Sequence, residues 1–363
     1  MSNWPDSRIL DLLGIQVPIL QAPMAGPSMH EMAIAVGQAG GLASLPCAML
    51  GAAQVRSEVA LIRAQTDAPL NLNFFCHGSP TPDPAREAAW RERLRPYYVE
   101  LGLDPDMEVP ASSRNPFDEA SCALVEELRP AVVSFHFGLP SSELLARVRA
   151  AGAKVLSSAT TVAEARWLEA RSVDAVIAQG VEAGGHRGMF LTDDVGTQLG
   201  TFALVPQIVD AVRVPVIAAG GIMDGRGMSA ALTLGASAVQ LGTAYLFTPE
   251  ARLGPVHQAV LRSPAAETTA LTRLFTGRPA RGIVNRLMSE LGPLSPLAPA
   301  FPLAGGALAP LRSASEARGA GDFTPLWAGQ GAPMGRDGGA QALTESIAAQ
   351  AQALMQRQGS GQA

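Results

Sequence analysis

Residues 214–250 read VPVIAAGGIMDGRGMSAALTLGASAVQLGTAYLFTPE, and their punctuation decides the fold. Val216–Ala219 is a short apolar run closed by Gly220-Gly221, the pattern of a strand buried on both faces in a parallel sheet. Residues 224–227, Asp-Gly-Arg-Gly, form a turn. Residues 228–234 carry small and apolar side chains at helical spacing until Gly235 stops them. Ala238–Leu241 is a second buried run, closed by Gly242-Thr243. Two parallel strands that each end in glycine set bare backbone N–H groups side by side at one end of a sheet, where they can hold a phosphate. Plain tight turns would also use glycine. The Gly-Gly and Gly-Thr pairs together favour the phosphate reading, because in an eight-stranded α/β barrel that site commonly follows strands seven and eight.

Outward from this stretch, strand-like and helix-like segments alternate. Apolar runs lie at residues 17–25, 42–46, 70–75, 132–138, 154–159 and 175–180, with helical patterns at 29–38, 53–65, 141–151 and 161–170. The two strands of the opening stretch bring the set to eight. The expected fold is therefore an α/β (β/α)8 TIM barrel made of residues 1–79 and 123–255. An open doubly wound sheet would place a G-x-G-x-x-G turn after its first strand, and none follows residues 17–25. Residues 80–122 break the alternation after strand 3. They are rich in proline and charge, with a helical piece at 85–100, and are read as an insertion over the barrel mouth. Residues 256–363 are read as a C-terminal extension, helical at 266–271 after a helix at 254–261, irregular at 291–310, and helical again at 344–356.

The 363 residues are 47% hydrophobic and 16% charged, with a net charge of −5 and no block of like charge. Nothing here attracts nucleic acid or an anionic membrane surface. No apolar run is long enough to span a bilayer, and the first ten residues lack the basic and apolar regions of a signal peptide. Cys47, Cys76 and Cys122 are scattered, without disulfide or metal spacing. The expectation is a cytoplasmic enzyme acting on a small molecule, with no metal, nucleic-acid or membrane partner. Monomer and homodimer both remain open.

In a barrel the working face lies at the C-terminal strand ends. The polar residues there are Asn73, Ser134, His136, Gln179, Gln240 and Thr243. This set has no acidic cluster for a divalent cation. Amides and small residues suit the edge of a planar heterocycle, with a phosphate at Gly220-Gly221 and Gly242-Thr243. FMN, with one phosphate and alternating donors and acceptors on its ring, is the natural candidate. His136 lies between Phe135 and Phe137, so alternation turns it into the barrel if both phenyl rings pack outward. There it can act as a base or steady an anion; a buried neutral histidine bonded to backbone is the plainer alternative. His186, in the loop Glu182-Ala183-Gly184-Gly185-His186-Arg187-Gly188, either meets substrate or phosphate or only fixes the loop. Glu182 and His186 are too few for a metal site. Asn73 is preferred to Asn71 because it lies nearer the strand end. Arg278 and Arg281 are expected to be surface charges, and Cys76 a packed thiol.

Six stretches resemble one family in order: PILQAPMAG, NLNFF, VVSFHFG, QGVEAGGHRG, the opening stretch from PVIAAGG to VQLGTAYL, and FTGRPARG. The chain resembles the nitronate monooxygenases, FMN-dependent TIM-barrel enzymes once called 2-nitropropane dioxygenases. VVSFHFG separates them from related FMN enzymes such as enoyl-acyl-carrier-protein reductases. The resemblance implies that His136 is the catalytic base. It also implies FMN contacts from Met24, Asn73, Gln179, Gly184, Gly221, Gln240, Leu241, Gly242 and Thr243. Gly185 and Gly220 complete the candidate set, with His186 on the substrate side. The implied reaction is oxidative denitrification of an alkyl nitronate, such as propionate 3-nitronate, by O2 to a carbonyl compound and nitrite. The rival enzyme reading is an NAD(P)H-dependent FMN reductase acting on quinones or enoyl-acyl thioesters. A flavin-binding barrel without chemistry is the third.

Overall fold

The computed structural model describes residues 4–81, 83–110 and 114–360. Six strands come first: β1 (Ile19–Gln21), β2 (Ala43–Pro46), β3 (Leu70–Phe75), β4 (Val132–His136), β5 (Lys154–Ala159) and β6 (Ala175–Gln179). A two-residue strand, β7 (Gly185–His186), precedes β8 (Val216–Ala219) and β9 (Ala238–Leu241). Apart from β7 they form one parallel sheet in the order β1-β9-β8-β6-β5-β4-β3-β2. A bridge between Leu20 and Leu42 joins β1 to β2 and closes the ring. The chain is a (β/α)8 barrel, as the strand count predicts.

Alternation sorts each strand between inside and outside. On β4, Val132 points inward among Leu20, Leu42, Leu156, Ile177 and Ile217. Val133 and Phe135 point outward into the helical shell. Helix α1 (Arg8–Leu13) plugs the N-terminal end of the ring with Ile9 and Leu13. Toward the C-terminal strand ends the interior turns polar. Gln21 Nε2 donates to the Ser44 carbonyl at 2.9 Å, and its Oε1 accepts from Ser44 N–H at 3.2 Å. Asn71 Nδ2 donates to Ser44 Oγ at 3.1 Å. Buried polar groups are retained where they are bonded, so this layer is a fixed floor beneath the strand tips.

The outer shell holds α2 (His30–Gln38), α3 (Ala52–Arg63), α5 (Glu119–Leu128), α6 (Ser142–Ala150), α7 (Val162–Glu169), α8 (Thr201–Ala211), α9 (Gly225–Thr233) and α13 (Ala340–Ser360). Helix α13 lies between α9 and α2 and so fills the helical position that follows the eighth barrel strand. Between β9 and α13 the chain makes a long excursion through α10 (Pro255–Leu261), β10 (Thr269–Thr272), β11 (Ala280–Ile283), α11 (Arg286–Leu291) and α12 (Ala309–Glu316). Helix α4 (Pro84–Leu101) packs on that excursion. Its Trp90, Leu94, Tyr97 and Tyr98 share a core with Leu274, Phe275, Leu287, Leu311 and Phe323. Trp90 Nε1 donates to the Ala304 carbonyl at 3.2 Å, and the Tyr98 hydroxyl donates to the Ala307 carbonyl at 2.5 Å. The inserted and C-terminal segments thus make one cap. Asp83, accepting from Arg86 N–H at 3.0 Å, and Pro84 at the first helical position start α4.

One expectation fails here. Residues 266–271 are not a helix; a 3₁₀ turn at Pro264–Glu267 leads into β10, which pairs antiparallel with β11, and β11 pairs with β7. Thr268, Thr269 and Thr272 are stiff β-branched residues that suit a strand once β11 supplies a partner. Among the described residues, no helix is long and apolar enough to cross a membrane.

Candidate active site

A cavity of about 500 Å³ opens at the C-terminal strand ends. Met24, Asn73, His136, Gln179, Gly184, Gly185, His186, Gly220, Gly221, Gln240, Gly242 and Thr243 all line it. Leu241 is the exception: its side chain is fully buried in the outer core, so only its backbone can face a ligand. Asn73 Nδ2 donates to Ser134 Oγ at 3.0 Å, while Asn71 sits two residues deeper, in the polar floor.

His136 ends β4 and points into this cavity. Phe135 packs outward, edge-on to Phe117 with ring centroids 5.2 Å apart. Phe137 does not follow it. At φ 71° it breaks the alternation and lays its ring 4.5 Å from that of His136 and 4.9 Å from Phe75. Only Phe135 meets the condition of packing outward, because a left-handed residue ends the strand, yet His136 still faces the cavity. His136 Nε2–H donates to the His186 carbonyl at 3.1 Å. Its Nδ1 then carries the lone pair and accepts from the Ser158 hydroxyl at 3.0 Å. Burial pushes its pKa down to about 4; the bond to the His186 carbonyl opposes this, and the Arg278 and Arg187 charges add to it. The ring is neutral at pH 7. Gly188 is packed against it: a Cβ there would stand 2.9 Å from His136 Cε1.

The loop after β6 is built around these bonds. Gln179 Nε2 donates to the His186 carbonyl at 3.0 Å, and its Oε1 accepts from Gly188 N–H at 2.7 Å. Both ends of this amide hold the loop that carries His136's acceptor. Arg187 is fully buried and donates to the Gly180 carbonyl at 2.7 Å, the Gln179 carbonyl at 2.5 Å and Gln198 Oε1 at 2.9 Å. Glu182 is occupied at the start of α8, accepting from Thr201 N–H at 2.8 Å. His186 Nε2 lies 3.0 Å from Thr276 Oγ1, and its ring joins Phe75, Phe137, Phe301 and Trp327 in an aromatic roof. Among the described residues, no acidic, histidine or cysteine cluster suits a metal.

Opposite, Gly221 adopts φ 71°, a conformation that favours glycine. Among the described residues, the N–H groups of Gly221, Ile222 and Gly242 have no acceptor. They form the bare backbone cradle that the opening stretch predicts. Thr243 Oγ1 accepts from Gly329 N–H at 2.9 Å, tying the cap to the cradle.

Several lining residues escaped the sequence reading: Ser158, Arg114, His257, Arg312 and Trp327. Ser158 shares the inward face of β5 with Leu156, so alternation along that strand could have found it. The others come from the cap, whose path no local pattern sets. Arg278 and Arg281 are not surface charges. Arg278 donates to the Met189 carbonyl and stacks its guanidinium 4.0 Å from the Phe137 ring. Arg281 is buried, and its Nε donates to the Val181 carbonyl at 2.7 Å. Burial raises the Cys76 thiol well above its usual pKa, which excludes a thiolate at neutral pH.

The family model for nitronate monooxygenase matches residues 6–350. The nitronate monooxygenase of Pseudomonas aeruginosa is 44% identical over 336 residues, 91% of this chain and 95% of that one. That of Paraburkholderia phytofirmans is 44% identical over 332 residues, 90% of each chain. Among solved structures, a nitroalkane oxidase from Streptomyces ansochromogenes matches with a TM-score of 0.87 at 40% identity, covering 96% of this chain and 99% of that one. FabK from Thermotoga maritima matches with a TM-score of 0.70 at 25% identity, covering 97% of both. With the barrel, the glycine cradle and the strand-end histidine in place, these matches assign the chain to an enzyme family of oxidative nitronate metabolism: it is a member of the nitronate monooxygenases.

Proposed function

We propose that the chain binds FMN and uses O2 to convert alkyl nitronates, propionate 3-nitronate among them, to a carbonyl compound and nitrite. One observation carries this reading: His136 and the glycine cradle with its unused amides line the same cavity. The residues fit the cofactor. Gly221, Ile222 and Gly242 offer N–H groups to a phosphate, and Asn73 and Gln240 offer amides to a heterocycle's edge. The volume of about 500 Å³ lies within the roughly 300–1,000 Å³ usual for such sites. When bound, FMN supplies electron exchange with the substrate and with O2.

The protein's own work centres on His136. A nitronate arrives as an anion and needs no base, whereas a neutral nitroalkane must first lose a proton from carbon. Nδ1 is the accepting atom, freed when the Ser158 hydroxyl rotates away. Nε2–H stays on the His186 carbonyl and steadies the imidazolium. His186 forms the facing wall for the substrate. The rings of Phe75 and Trp327 give the cavity an aromatic wall.

The test is nitrite release and O2 uptake with propionate 3-nitronate and with nitroethane, with NADH as control. Nitrite formed with O2 uptake and without any need for NADH is the expected result. Rapid NADH oxidation with no nitrite from any nitronate would overturn the proposal in favour of a reductase.

A further inference from the structure

The glycine cradle is roofed by a segment from much further along the chain. Ala328, Gly329 and Gly331 line the same cavity as Gly221, Gly242 and Thr243. Residues 328–331 meet all three loops that follow β6, β8 and β9. Gln330 N–H donates to the Glu182 carbonyl at 2.9 Å, and Gly329 N–H donates to Thr243 Oγ1 at 2.9 Å. A Cβ on Gly184 would stand 2.5 Å from the Gly329 nitrogen, and one on Gly329 would stand 2.6 Å from the Glu182 carbonyl oxygen. One on Gly331 would stand 2.6 Å from Met223 Cγ. Glycine on both sides therefore serves the close approach of one backbone to another.

One group in this segment is left over. Gly331 is buried and lines the cavity, yet its N–H has no acceptor among the described residues. Buried backbone N–H groups are nearly always paired, so an orphan calls for a partner that the chain does not supply. It stands beside the cradle: the Cβ position of Gly331 is 3.4 Å from the Gly221 carbonyl oxygen. The Thr243 hydroxyl is prepared in the same way, because its oxygen already accepts from Gly329 and its proton is left to donate.

We propose that the Gly331 N–H is a further donor to the phosphate of FMN, and that residues 328–331 form a strap which the bound phosphate holds shut. This rests on the FMN reading above. Gln330 and Gly329 tie the strap down through neutral groups, and the phosphate adds a stronger bond to a charged oxygen. Closing of the strap and binding of the cofactor then favour each other by the same factor.

The experiment follows amide hydrogen exchange across residues 327–335 in the flavin-stripped wild type, alone, with FMN, and with riboflavin, which lacks the phosphate. FMN is expected to slow exchange there at least about tenfold, and riboflavin to leave it nearly unchanged. Equal protection by both flavins, or none by FMN, overturns the strap. Two variants isolate the donor. Gly331 has φ −77°, which alanine and proline both accept. Gly331→Ala and Gly331→Pro each add a Cβ against Met223, but only the proline removes the N–H. Gly331→Pro is expected to bind FMN at least about tenfold more weakly than Gly331→Ala, the scale of one hydrogen bond to a charged group. Equal affinities overturn the donor, and the exchange measurement on the wild type stands whether or not the proline variant folds. If the wild type binds no flavin, the FMN reading fails separately. Inorganic phosphate then decides the strap: protection of residues 327–335 supports it, and no protection overturns it.

Discussion

The imidazole of His136 is held at both nitrogens, by the Ser158 hydroxyl and the His186 carbonyl. It is therefore oriented and neutral, as the base proposed for neutral nitroalkanes has to be. His136→Asn should keep FMN bound but lower turnover of neutral nitroalkanes on the order of 100-fold or more, the usual worth of a positioned base. Nitronates, already deprotonated, should lose less. The comparison of nitrite release from nitroethane and from its nitronate checks this, and equal losses would count against a base. Gly188→Ala tests the same ring from its other side. The added methyl group meets His136 Cε1 at 2.9 Å, and turnover of nitroethane should fall about tenfold or more because misplaced reacting groups are costly. His136 was legible in the sequence because alternation on a strand fixes which way a side chain points. The double grip of Gln179 on the loop was not, nor was the burial of Arg187. Both depend on where residues 180–188 travel after leaving β6, which no period records.

The cap is the element that sets this site apart from a bare barrel. Helix α4 and the segment from β10 to α12 share one core, with Trp90 fully buried at its centre. Trp90→Ala removes the indole and its bond to the Ala304 carbonyl, and should cost about 3–5 kcal/mol. Denaturant titration should show the loss. A change under 1 kcal/mol would mean that the cap is not part of the cooperative unit. The barrel strands could be read from their apolar runs and closing glycines. The cap could not: β10 becomes a strand only because β11 lies beside it. Helix α12 begins inside the proline-rich stretch that looked irregular, and α4 finds its partners some two hundred positions along the chain, as the Trp90 bond to Ala304 shows.

At the scale of the whole molecule, three buried histidines set a common pH dependence. Burial lowers His77, His136 and His257 to about 4 in the folded chain, against about 6.5 when unfolded. Between these values the unfolded chain binds more protons. Their contribution is complete above pH 6.5 and is lost as pH falls toward 4. The urea midpoint should be lower at pH 5 than at pH 7; an equal midpoint would show that the folded rings do not resist protonation. The position of α13 has a consequence for biosynthesis. The ring can seal once β9 has left the ribosome, but α2 and α9 must wait for the whole cap to be translated before residues 340–360 reach them. During that interval the nascent barrel displays a greasy seam, and chaperone capture should peak there and end when the seam is clasped.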